Sequence, residues 1–150
     1  MNNAFIRNSI LSGELGNVEL IQSMIKEPGF SSREFMSASG GIFRDVNVHD
    51  FDLQRFIAGC EPKRVYALGR NLFSDVAKEF KVFDTNTITL EFESGAIGNI
   101  TTSMRCTFGY DMRIEVHGSN KTYKHENIGP NNVEYWDETG RHKTNAHRHF

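Results

Sequence analysis

Past about residue 62 the hydrophobic period of the chain shortens from 3.6 to 2, and that change constrains the fold more than any other feature. Thr87, Thr89, Glu91 and Glu93 alternate with Ile88, Leu90 and Phe92, so Thr85 to Glu93 reads as a strand with one buried face. Ser94-Gly95 turns it, and Ala96 to Cys106 returns as its hairpin partner. From Asp111 to His117 the pattern repeats, with Met112, Ile114 and Val116 opposite Arg113, Glu115 and His117. Shorter strands are expected at Arg64 to Leu68, Thr122 to His125 and Asn132 to Trp136. Such a run makes an antiparallel meander whose apolar face needs a cover.

The first half supplies the cover. Phe5, Ile6, Ile10 and Leu11 form a helical stripe that Gly13 ends. Asn17 to Lys26 carries Val18, Leu20, Ile21, Met24 and Ile25 and reads as a buried strand. Glu27-Pro28-Gly29 breaks it, and the segment through Ser39 reads as an exposed loop. Ile42 to Ala58 reads as one helix, with Val46, Leu53, Phe56 and Ile57 at helical spacing and Gly59 as a left-handed cap. Ser74 to Lys81 fits a short helix or a loop. The order of elements predicts an α+β domain with helices on one sheet face, leaving the Thr87, Thr89, Thr101 and Ser103 side for solvent or a partner.

Composition bears on partners. At 150 residues the chain is expected to form one domain, and 17 Lys plus Arg against 19 Asp plus Glu leave no basic excess for nucleic acid or an anionic membrane. There is no apolar run of the roughly 20 residues a membrane span needs, nor an N-terminal signal pattern, so the expected setting is cytoplasmic. Cys60 and Cys106 stand far apart without a C-x-x-C and read as reduced thiols. No two glycines are separated by a single residue, which excludes the dinucleotide fingerprint.

The sharpest candidate for chemistry is Asp45 with His49, because positions four apart on a helix share a face and a carboxylate beside an imidazole can move a proton. Asp52 is a possible further partner of His49. From spacing alone the plainer reading is the better one: Asp45 as a helix cap, His49 on or near the surface, and Asp50 as a first-turn charge. His142, His147 and His149, interleaved with Arg141, Lys143 and Arg148, read as a solvated tail rather than a metal site. His117 and His125 read as structural or exposed.

Four strings occur together: Ser12-Gly13-Glu14-Leu15-Gly16-Asn17-Val18, then Gly40-Gly41-Ile42-Phe43-Arg44-Asp45-Val46-Asn47-Val48-His49-Asp50-Phe51-Asp52, then Phe92-Glu93-Ser94-Gly95-Ala96, then Glu115-Val116-His117-Gly118-Ser119. In this order they resemble the Gfo/Idh/MocA oxidoreductases, most of all the inositol 2-dehydrogenase branch. The resemblance implies the C-terminal domain of such an enzyme, an open, mostly antiparallel mixed sheet with helices packed on one face, and no Rossmann domain. Residues 1–150 are then expected to be a single substrate-binding and oligomerisation domain, truncated, with the N-terminal cofactor domain and the final C-terminal helices missing. It further implies NAD or NADP in the intact enzyme, no cofactor or metal bound by this chain alone, a polyol or sugar substrate, and a homo-oligomer formed through the open sheet face. His49 would be the general acid/base that takes the hydroxyl proton as hydride leaves the carbon, and Asp45 would orient substrate or His49. The family's Arg-Asp-Pro or Arg-Asn-Pro reads Lys26-Glu27-Pro28 here, making Lys26 the expected substrate contact of that segment. The lysine of the family's Glu-Lys-Pro motif has no counterpart. The isolated chain is therefore expected to be inactive, and the alternative is a stand-alone binding or dimerisation module that has lost catalysis.

Overall fold

A computed structural model describes residues 2–30, 32–107, 109–126 and 132–145. In chain order the elements are α1 (Asn2–Leu11), β1 (Val18–Lys26), α2 (Arg33–Ser39), α3 (Ile42–Asp45), α4 (Asn47–Ala58), β2 (Pro62–Arg70), α5 (Asp75–Glu79), β3 (Thr85–Phe92), β4 (Ile97–Ser103), β5 (Asp111–Gly118), β6 (Thr122–Glu126), β7 (Asn132–Asp137) and β8 (Gly140–Asn145). The strands make one eight-stranded sheet in the order β2-β3-β4-β1-β5-β6-β7-β8. β1 runs parallel to β4 and antiparallel to β5, with Ile21 opposite Gly98 on one side and Val116 on the other. Every other neighbouring pair is antiparallel, so the sheet is mixed as the resemblance implies.

Alternation decides which face is covered. Ile21 and Ile25 of β1, Ile88, Leu90 and Phe92 of β3, Ile100 of β4, and Ile114 and Val116 of β5 are buried. All but Ile25 join Ile6 of α1, Leu15, and Ile57 of α4 in one core cluster, where each fully buried aliphatic side chain contributes about 1.5 to 3 kcal/mol. The other face presents Gln22, Thr87 and Thr101 to solvent among the described residues. A smaller cluster of Ile25, Ile42, Val46 and Met104, with Phe73 and Met112 against it, packs α3 onto the C-terminal end of β1.

Three segments differ from expectation. The loop expected through Ser39 contains α2, which starts because the Ser32 hydroxyl accepts from the Phe35 N–H at 3.3 Å. The single helix expected over Ile42 to Ala58 is two, α3 and α4, broken at Val46. There Asn47 turns inward and is fully buried; its amide nitrogen donates to the Thr102 hydroxyl at 2.6 Å, and its carbonyl accepts from the Asn86 amide at 2.6 Å. These bonds tie the start of α4 to β3 and β4 and outweigh continuity of the helix. The solvated tail is in part β8, where His142 lies opposite Tyr135 in the ladder; His147 and His149 fall outside the described residues.

The two-way expectation for Ser74 to Lys81 resolves as α5, capped by the Ser74 hydroxyl. His125 is buried in β6, with Nε2 at 2.6 Å from the Asn3 side-chain oxygen. Burial pulls its pKa down to about 4. Cys60 and Cys106 are unpaired. No described helix is long and apolar enough to cross a membrane.

Candidate functional site

Asp45 ends α3 and His49 lies in the first turn of α4, so the pair straddles the break at Val46 instead of sharing one continuous helix. Both nevertheless line one cavity of about 230 Å³ at the C-terminal end of β1. Ile25 of β1 lines it with Glu27 and Gly29 from the chain leaving that strand, Phe35 comes from α2, and Met104 and Tyr110 come from the segment between β4 and β5. Asp45 is half-buried and His49 exposed.

The pleat of β1 settles the position of Lys26. Ile21, Ser23 and Ile25 point to the covered face, so Lys26 turns to the other side and does not line the cavity. Glu27 lines it instead, held where its N–H donates to the Ser103 carbonyl at 2.9 Å. Asp52 likewise is not brought to His49; it is 84% exposed and lies 4.0 Å from Arg55.

Electrostatics in the site are dominated by carboxyl groups. Burial pushes Glu27 above the usual carboxylate range, and the charge of Asp45 pushes it further. Burial also raises the Tyr110 phenol, with Glu27 and Asp50 adding to the effect. Asp50 is not the surface charge its position suggests. It is 1% exposed, and burial pushes it up to about 6 against the opposing pull of Ser23, Asn47 and His49. The Asn47 amide donates to Asp50 Oδ2 at 3.4 Å. One helical turn along, Gln54 donates to the Ser23 hydroxyl at 3.1 Å and to the Asn99 carbonyl at 2.9 Å. This buried polar layer fixes α4 on β1, β3 and β4, and with it the backbone that carries His49.

A carboxylate, an imidazole, a phenol and a second carboxyl thus converge on one small space. Its volume falls below the roughly 300 to 1,000 Å³ of pockets for drug-sized ligands, which suits a molecule of about one ring rich in hydroxyl groups. The described lining residues do not fit a dinucleotide: the volume is too small, and no lysine or arginine among them could meet a pyrophosphate. Among the described residues no three His, Cys, Asp or Glu side chains are placed to share a metal ion.

Residues 4–124 match the sequence profile of the GFO/IDH/MocA C-terminal domain. The chain belongs to the GFO/IDH/MocA family. It is 37% identical over 129 residues to the inositol 2-dehydrogenase of Rhizobium meliloti, a match covering 86% of this chain and 39% of that protein. To the myo-inositol 2-dehydrogenase of Thermotoga maritima it is 34% identical over 135 residues, 90% of this chain and 40% of that one. The chain therefore spans about two fifths of the length of these relatives. Among solved structures, a myo-inositol dehydrogenase from Corynebacterium glutamicum superposes with a TM-score of 0.81 at 32% identity, covering 95% of this chain and 43% of that chain. A scyllo-inositol dehydrogenase from Lactobacillus casei, solved with NAD(H) and scyllo-inositol, has a TM-score of 0.75 at 23% identity, over 94% of this chain and 43% of that one, and shares the fold. Of the residues that line the cavity, Asp45 and His49 stand out in the sequence, Glu27 is the neighbour of the expected Lys26, and Tyr110 carries no periodic or spacing signal and joins the cavity only through the fold.

Proposed function

We propose that this chain is the substrate-binding and oligomerisation domain of an NAD- or NADP-dependent dehydrogenase that oxidises a CH–OH group of a polyol or sugar of the inositol type. The observation that carries the reading is the pair Asp45 and His49 on one ring-sized cavity, in a chain whose relatives include named inositol dehydrogenases. His49, exposed at the cavity, accepts the proton of the reacting hydroxyl, and Asp45 accepts hydrogen bonds from the hydroxyls and orients the ring or the imidazole. The nicotinamide of the intact enzyme, the hydride acceptor, belongs with a separate cofactor domain. This chain holds the ring and takes the proton. Lys26, on the opposite side of the sheet, is assigned no role in the cavity; Glu27 takes the place expected for it.

The open sheet face, with Gln22, Thr87 and Thr101 outward, is the surface through which copies of the domain associate in this reading. Two unpaired thiols are in keeping with a cytoplasmic setting.

The test is a fusion of this chain to the N-terminal cofactor domain of an inositol dehydrogenase. The fusion is expected to form NADH or NADPH with myo-inositol, and His49→Ala to lower kcat by about 100- to 10,000-fold, the usual span for a general base. Equal rates in the two proteins would remove His49 from the chemistry. A folded fusion that neither turns over nor binds polyol would favour the dimerisation module without catalysis.

A further inference from the structure

We propose that Glu27 sets the charge specificity of this cavity, so that it takes neutral and amine-bearing cyclic polyols and rejects those carrying a carboxylate or phosphate. The inference rests on the polyol reading above and narrows it. Glu27 is pinned by its own backbone, since its N–H donates to Ser103 of β4 at 2.9 Å and Pro28 follows it directly. It lines the same cavity as Asp45, whose charge opposes its own. Ile25, Phe35, Val46 and Met104 supply the apolar part of the lining, His49 adds an imidazole, and no lysine or arginine is among the described lining residues. Two carboxyl groups of like charge in one recess act together on whatever enters it.

The chemistry of the ligand follows. Hydroxyl groups donate to either carboxylate, and an ammonium substituent gains further because a charge-assisted bond is stronger than a neutral one. A uronate or a sugar phosphate brings a like charge into the same space and is disfavoured.

The chain labelled with nitrogen-15 is titrated with myo-inositol, with an aminocyclitol and with glucuronate, reading the amide shifts of Glu27, Gly29 and His49. Binding of the aminocyclitol is expected to be at least about tenfold tighter than that of glucuronate at low salt, a like-versus-opposite charge difference of ordinary size for a half-buried site. Glu27→Gln is expected to shrink that ratio at least about fivefold, and Glu27→Asp, which keeps the charge, to restore it. If myo-inositol shifts these amides while the other two bind equally, or the ratio survives Glu27→Gln, the specificity role is wrong and the polyol reading stands. If none of the three moves them, both fail.

Discussion

Asp50 is a carboxyl that the fold stabilises only when protonated, and Asp50→Asn should reveal it. The side chain is 1% exposed, and burial raises its pKa from the ordinary 3.8 to about 6. A carboxyl whose folded value lies above its unfolded one binds a proton more tightly in the native state, so its contribution is fully present below about pH 4 and is lost as pH rises through 6. At about 1.4 kcal/mol per pH unit, that rise makes the native state about 3 kcal/mol less stable at pH 7.5 than it would be with a neutral group there. Asparagine has nearly the same shape and keeps an oxygen to accept from the Asn47 amide. Urea unfolding of both proteins from pH 4 to pH 8 is the assay. Asp50→Asn is expected to be more stable by about 2 to 3 kcal/mol at pH 7.5, with the difference fading towards pH 4. An asparagine variant less stable than the parent at pH 7.5, or a difference that ignores pH, would refute the reasoning.

Asp84 should behave in the opposite sense. Burial alone would raise its carboxyl, but the N–H groups of Leu72, Phe73 and Ser74 donate to it at 2.9 to 3.0 Å, with the Thr85 hydroxyl, and hold it below the usual range. Its stabilisation is present at neutral pH and is lost as pH falls through the depressed value, so Asp84→Ala should cost about 2 to 4 kcal/mol at pH 7 in urea unfolding, and less in acid. Gly98 leaves no room for a methyl group, because a Cβ there would overlap the Gln54 side-chain oxygen and meet a Phe92 ring carbon at 3.0 Å. Gly98→Ala is expected to lower stability by about 1 to 3 kcal/mol, and Gln54→Ala in the same protein to make the two costs less than additive; full additivity would contradict that overlap.

Strict alternation makes the sheet legible in the sequence. Thr87 and Thr89 against Ile88, Leu90 and Phe92 can bury only one side, and Ser94-Gly95 leaves a hairpin as the short connection, so β3 and β4 appear where expected. The break at Val46 is not legible, because nothing near it is a helix breaker; its cause is Asn47 reaching Thr102 and Asn86, residues far along the chain. α2 is hidden for a different reason. With Met36 as its buried residue it has no apolar stripe to find, and its cap serine looks like loop composition.

The site divides in the same way. Asp45 and His49 emerge through the resemblance, whereas Glu27 and Tyr110 sit in irregular segments whose direction depends on the ends of β1 and β5. Lys26 and Glu27 show how little separates a residue that lines the cavity from one that does not. They are neighbours, and only the phase of the strand, set by Ile21 and Ile25 inward, decides which enters the cavity. Asp50 reads as a surface charge in the sequence because the first turn of a helix usually lies in water, while α4 begins with its first turn pressed onto the sheet.

The most direct test of His49 as the group that takes the proton is the pH dependence of kcat/KM for myo-inositol in the fusion carrying a family cofactor domain. The parent protein should lose activity on the acid side, as a reaction with a general base does, and His49→Ala should be slower throughout with that acid limb gone. An acid limb of the same shape in both proteins would contradict the account.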